Sequence, residues 1–193
     1  MAVAMMQPCA ALGSFVSYGG IITPLYFDAA TRKVYSLDAG FNTVRGEKNP
    51  LTIPGASPAD IIASSHSGPA STPSGRTALV PGFFAGVEAA HKRFGKRRFA
   101  EVAAPAIRCA EQGFALTPSE AGTISGRREV LSRLPATKAI FTKPDGTFYK
   151  AGDLFKQPAL AQTLRAVVKE GAPAHIYNGA WAKGFGAAVQ RVG

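Results

Sequence analysis

The rhythm of apolar and polar positions changes near residue 80. Before it, Ile21 to Phe27 (IITPLYF) is rich in β-branched and aromatic residues, and Val34-Tyr35-Ser36-Leu37 follows after six polar, turn-forming residues, Asp28 to Lys33. That order predicts a β-hairpin. The first strand is apolar on both faces except at Thr23 and Pro24, the pattern of a centrally placed strand. Pro24 conflicts mildly with it, because proline removes a ladder donor. The preceding Tyr18-Gly19-Gly20 permits positive φ or close backbone approach. From Arg45 to Gly82 the periodicity fades into a stretch dense in Ser, Gly and Pro around His66, which reads as a flexible loop.

Helical spacing dominates the remainder. Phe83, Phe84, Val87, Ala90 and His91 share one face, and Phe99, Val102, Ala103, Ala106, Ile107 and Ala110 follow the i, i+3, i+4, i+7 pattern. Pro105 lies inside that second run and should kink it or mark a junction between two short helices. Gly113 ends it, and Thr117-Pro118-Ser119-Glu120 offers a cap with proline in the first turn of the next helix. Ala139-Ile140-Phe141-Thr142, a Pro144-Asp145-Gly146 turn and Thr147-Phe148-Tyr149 predict a second small hairpin. Gln157-Pro158 then opens a helix with Leu160, Leu164, Val167 and Val168 on one face, closed by Gly171, and Tyr177 and Trp181 begin a last helical pattern.

Composition narrows the class without naming a function. A chain of 193 residues that is 46% hydrophobic can bury about 70% of its unfolded surface, which excludes an intrinsically disordered protein. Cys9 and Cys109 have neither the number nor the spacing of a zinc site or a disulfide framework and read as small buried hydrophobes. No metal and no cofactor is expected from the residues. No stretch reaches the roughly 20 apolar residues of a membrane span, and the apolar start from Met1 to Phe15 lacks the basic lead-in of a secretory signal. The sequence leaves the compartment open. That abrupt start, resembling the middle of a buried helix, and a last helix that runs uncapped to the final residue lead us to expect a fragment.

With 22 Lys+Arg against 12 Asp+Glu, the net charge is 22 − 12 = +10. One dense cluster contributes to it, His91-Lys92-Arg93-Phe94-Gly95-Lys96-Arg97-Arg98, between two helical patterns with Gly95 as C-cap of the first. The other cations are scattered at turns without the aromatic ladder of single-strand binders, which argues against nucleic acid. A non-catalytic module that uses the turn from Lys92 to Arg98 to hold an acidic partner or nucleic acid is the alternative reading. His66 among serines invites a nucleophile-and-base reading, but nothing in the sequence orients the imidazole and no Gly-x-Ser-x-Gly elbow is present.

The succession Val80-Pro81-Gly82, Ala85-Gly86, Ala90-His91, Phe94-Gly95 and then Pro105-Ala106-Ile107, Ala110, Gly113-Phe114 resembles the large subunit of the gamma-glutamyltranspeptidases, with its VPG…AG…AHxxYG and PAIxLAxxGF segments. Gly152-Asp153-Leu154, Gln157-Pro158-Ala159-Leu160-Ala161, Thr163-Leu164 and Gly171 through Tyr177 and Gly179 continue the likeness to the family's GDxLxQPxLAxTLxxIAxxG…FYxG stretch. The resemblance implies an α+β fold, a partial Ntn-hydrolase αββα sandwich built from the large-subunit portion and helix-rich after residue 80. On that reading the chain is a single partial domain: residues 1–45 a core helix end plus the hairpin, 46–78 the loop, and 79–193 a helical region with a small hairpin.

The chemistry implied is gamma-glutamyl transfer or hydrolysis of glutathione-type amides. The nucleophile is a threonine exposed at the start of a small subunit, with its own α-amine as base and backbone amides holding the oxyanion. No threonine of this chain matches that position, so the catalytic set is empty and the chain alone should be inactive. The implied partners are a complementary small-subunit segment and a small gamma-glutamyl or related amide. The family also places an arginine two residues after the aspartate that ends the second strand, to pair with the glutamyl α-carboxylate. Here Asp38-Ala39-Gly40-Phe41-Asn42 puts Gly40 there, and no hydrogen atom replaces a bidentate guanidinium. Asn42 and Arg45 are the residues left to serve substrate binding in that region, and the substrate is expected to differ from glutathione.

Overall fold

A computed structural model describes Met5, Pro8 and residues 17–43, 46–49, 75 and 78–192. Cys9, Arg45 and the His66 loop lie outside the described residues. The elements in chain order are β1 (Leu25–Asp28), β2 (Lys33–Ser36), α1 (Phe83–Phe94), α2 (Phe99–Gln112), β3 (Phe114–Ala115), α3 (Pro118–Gly126), α4 (Arg128–Ser132), α5 (Pro135–Phe141), β4 (Leu154–Phe155), α6 (Pro158–Glu170), a π-helical turn (Pro173–Tyr177) and α7 (Ala180–Val192). They fall into two compact units, Met1–Ser17 with His91–Glu170, and Tyr18–Ala90 with Gly171–Gly193.

In the unit containing the hairpin, β1 and β2 pair antiparallel with Tyr26 opposite Tyr35 and Phe27 opposite Val34. Asp28 organises the turn: its carboxylate accepts from the Ala30 amide at 3.1 Å and the Thr31 hydroxyl at 2.8 Å. Arg32 takes a left-handed φ of 54° there. The predicted first strand is shortened because Pro24 has no N–H to give. Its carbonyl still accepts from Leu37 at 3.1 Å, and pairing resumes where Ile22 and Ala39 exchange bonds of 3.3 and 3.1 Å. The strands are apolar on both faces, as the sequence shows, but only one face is covered among the described residues. Leu25, Phe27 and Val34 remain 74%, 58% and 66% exposed.

The covered face meets α1 through Gly86. A Cβ built there would lie 2.4 Å from the Ile22 side chain and 2.6 Å from Ala39 Cβ. The buried face of α1 is Phe83, Phe84, Val87 and Ala90, and Tyr18 stacks on Phe84 and stands edge-on to Phe83, both at 5.4 Å. The π-helical turn closes with a bond from the Asn178 amide to the Pro173 carbonyl, five residues back, at 3.1 Å. In α7, Trp181 stacks on Phe185 at 5.0 Å, the i, i+4 neighbours of one helix face.

The other unit is built on α2 against α6. Ala103, Ala106 and Ala110 of α2 are buried, and so are Ala161, Leu164 and Val167 of α6. Small side chains on α2 allow a close approach, and each buried Leu or Val contributes roughly 1.5–3 kcal/mol. Pro105 neither breaks α2 nor splits it, and the helix runs continuously through it. A second core joins Leu116, Ile124 and Phe155, with Phe114, Phe141, Phe148 and Tyr149 packed around them. There β3 pairs with β4, Phe114 opposite Phe155.

The expected cap at Thr117 forms, and it is a full capping box: the Glu120 amide bonds the Thr117 hydroxyl at 3.3 Å, and the Thr117 amide bonds the Glu120 carboxylate at 2.8 Å. The Pro144-Asp145-Gly146 turn also forms, with Gly146 at φ 80° and its amide donating to Lys143 at 2.8 Å. Its leading arm differs from the sequence reading. Residues 135–141 are helical, and only Thr142 pairs, opposite Phe148. Pro135 starts that helix and Ala136, Lys138 and Ala139 favour it, which outweighs the β-branched Thr137 and Ile140.

Candidate functional site

The stretch that the sequence marks for substrate contact borders an open cavity of about 490 Å³, lined by Asp38, Gly40, Phe41 and Asn42 from the loop after β2 and by Ala85 and Gly86 from α1, among others. Local geometry holds its two walls together. The Asn42 amide donates to Val80 at 3.1 Å and the Val80 amide to Asn42 at 2.7 Å, so the loop is tied to the segment leading into α1. Gly82 then touches the loop directly: a Cβ there would sit 2.3 Å from the carbonyl oxygens of both Ala39 and Gly40. Only glycine fits without displacing backbone.

Two amides at the start of α1 are committed within the unit. Phe83 donates to the Gly20 carbonyl at 3.0 Å, and Ala85 donates to the Tyr177 hydroxyl at 3.1 Å. That hydroxyl in turn donates to the Pro81 carbonyl at 2.8 Å. Tyr177 thus clamps both sides of Gly82. Burial pushes its phenol above the ordinary tyrosine value, with the Ala85 amide opposing and the Glu88 carboxylate adding to the rise. In the sequence Tyr177 stands in a block shared with the family and carries no local sign of this role, because its partners lie 92 and 96 positions away.

Asn42 is exposed at the cavity, Gly40 lines it, and Arg45 lies outside the described residues. Asp38, whose Oδ1 accepts from the Thr23 hydroxyl at 3.5 Å, is the one formally charged side chain among the described lining residues. The described lining residues offer a carboxylate and a carboxamide.

The basic turn is partly engaged internally. Arg93 lies over Phe94 at 5.3 Å, Arg98 pairs with Glu101 at 2.7 Å, and His91 Nε2 is 2.8 Å from the Arg97 carbonyl. Burial raises the Cys109 thiol pKa, which keeps it in its less reactive protonated form. Among the described residues no group of three or more His, Cys, Asp or Glu is placed to hold a metal ion, and no helix is long and apolar enough to cross a membrane.

The family profile described as gamma-glutamyltranspeptidase matches residues 2–193. The glutathione hydrolase proenzyme of Bacillus subtilis is 37% identical over 114 residues, covering 59% of this chain and 19% of that protein. Among solved structures, Helicobacter pylori gamma-glutamyltranspeptidase superposes with a TM-score of 0.80 at 25% identity, over 98% of this chain and 52% of the other. The Pseudomonas nitroreducens gamma-glutamyltranspeptidase complexed with L-DON gives 0.77 at 24%, over 99% and 52%. The chain therefore spans about a fifth of the length of the curated relatives it matches and about half of these structures.

Proposed function

The chain belongs to the gamma-glutamyltranspeptidase family and carries part of its Ntn-hydrolase α+β fold, and from that premise we propose that it supplies the large-subunit wall of a site for gamma-glutamyl or related amides. The cleaving group is the N-terminal threonine of a complementary segment. The observation that carries the reading is the cavity at residues 38–42, the stretch where the family resemblance locates recognition of the substrate's α-carboxylate. In this role the loop and the start of α1 hold the acyl group while the threonine hydroxyl attacks its carbonyl, the threonine's own amine taking the proton.

Gly40 alters what the wall recognises. With no guanidinium from that position, an α-carboxylate gains no bidentate pair there, and Asn42 and Arg45 provide the polar contacts instead. The acyl group transferred is accordingly related to, but distinct from, the gamma-glutamyl group of glutathione. Purified 193-residue chain should release no nitroaniline from gamma-glutamyl p-nitroanilide, and a Thr-bearing complementary segment should restore turnover of an amide substrate. Saturable nitroaniline release by the chain alone would overturn the assignment.

A further inference from the structure

A second cavity, of about 450 Å³, lies in the unit built on α2 and α6, between α5 and the start of α6. Its wall is mainly apolar, with Ala139 and Ile140 on one side and Pro158, Ala159 and Leu160 on the other. Tyr149, Lys156 and Gln157 are the polar side chains among the described lining residues, and Lys156 carries the one charge. This volume falls within the range of about 300–1,000 Å³ typical of small-ligand sites, where an apolar lining carries a few placed polar groups.

Lys156 is exposed, and its backbone is fixed on both sides. The residue before it pairs in β4, and the amide of the residue after it donates to the Ala110 carbonyl at the end of α2, at 2.8 Å. Its side-chain stem crosses Gly113: a Cβ on that glycine would lie 2.7 Å from Lys156 Cγ and 2.6 Å from the Phe155 carbonyl oxygen. Gly113 has φ 81°, so two separate constraints keep a side chain out of the space that the lysine stem occupies. Tyr149 stands edge-on to Phe155 at 5.1 Å, which fixes its ring in the wall. Ile140 remains 51% exposed, so an apolar group entering the cavity has surface left to cover.

We propose that this cavity binds a small monocarboxylate with an apolar tail, the carboxylate meeting Lys156 and the tail lying on Ile140, Pro158 and Leu160. Charge complementarity decides the class. A cationic ligand meets the ammonium, and a fully neutral apolar one forgoes a charge-assisted bond.

The test is photolabelling of the full 193-residue chain with a short diazirine-bearing alkyl carboxylate, followed by peptide mapping. Label is expected in residues 139–149 and 156–160. Hexanoate should suppress it, with hexan-1-ol or acetate needing about tenfold higher concentration, the factor that a loss of about 1.4 kcal/mol represents. Lys156→Gln should weaken competition by hexanoate by a similar factor and leave that by hexan-1-ol unchanged. Labelling outside these segments overturns the proposal. So does equal competition by hexan-1-ol, which removes the charge, or by acetate, which removes the tail. Both comparisons use the unaltered chain and stand whether or not the variant folds.

Discussion

Tyr177 connects two backbone groups that no other described side chain reaches: it accepts from Ala85 and donates to Pro81. Replacement by Phe keeps the ring and removes both bonds, leaving an amide and a carbonyl at the start of α1 to find water. The expected cost is about 1–2 kcal/mol, read from urea unfolding followed by tryptophan fluorescence. A change below about 0.3 kcal/mol would mean that the bridge is idle. Asp153 sets a different dependence. The Lys150 amide, then the Lys143 ammonium, hold its carboxyl below the ordinary aspartate value. Because the unfolded chain binds that proton more readily, the stabilisation is present above the unfolded value of about 3.9 and is lost as pH falls through the lower folded value. Asp153→Asn should therefore flatten the acid side of a plot of urea midpoint against pH, and an unchanged acid limb would contradict the assignment.

Elements whose instructions lie close together in the chain were legible in the sequence. The hairpin, the ends of α2 and α6, and the cap on α3 follow from residues within a few positions of one another. Thr117 is the clearest case: Thr117→Ala should lower stability by about 1 kcal/mol. Glu120→Ala acts through the same pair of bonds, so thermal unfolding of the double variant should show less than the sum of the two losses. What the sequence withheld depends on distant approach. Residues 135–141 have enough helix-favouring neighbours to override one isoleucine, yet the apolar run resembles a strand. Gly82 stands in the sequence only as part of a family pattern, and its contact with the Ala39 and Gly40 carbonyls appears in the fold alone. The candidate site was legible as a stretch, residues 38–42, because a family pattern marks it, whereas its helical wall and the Tyr177 clamp emerge only from folding.

Across the whole molecule, the outward face of the hairpin is the feature that most needs company. Leu25, Phe27 and Val34 leave a contiguous apolar stripe on a two-stranded sheet, a surface that water disfavours and that invites association. The isolated chain should therefore self-associate, or bind the complementary segment proposed above. Leu25→Thr with Phe27→Thr and Val34→Thr should shift sedimentation velocity profiles toward monomer. A parent chain that sediments as a monomer at high concentration would argue against this. Thr is a good strand residue, so the substitutions change the face without removing the strand.

On the opposite face, where the hairpin extends to Ile22 and Ala39, Gly86 of α1 meets their side chains and Gly82 meets the Ala39 and Gly40 carbonyls, so neither glycine has room for a side chain of its own. Two glycines thus divide where change can accumulate over evolutionary time. On the inner side even a methyl group forces the layers apart, while the outer stripe can drift as far as its partner drifts with it. Lineages that acquire a new complementary segment would record the change on Leu25, Phe27 and Val34 and leave the glycine contact untouched.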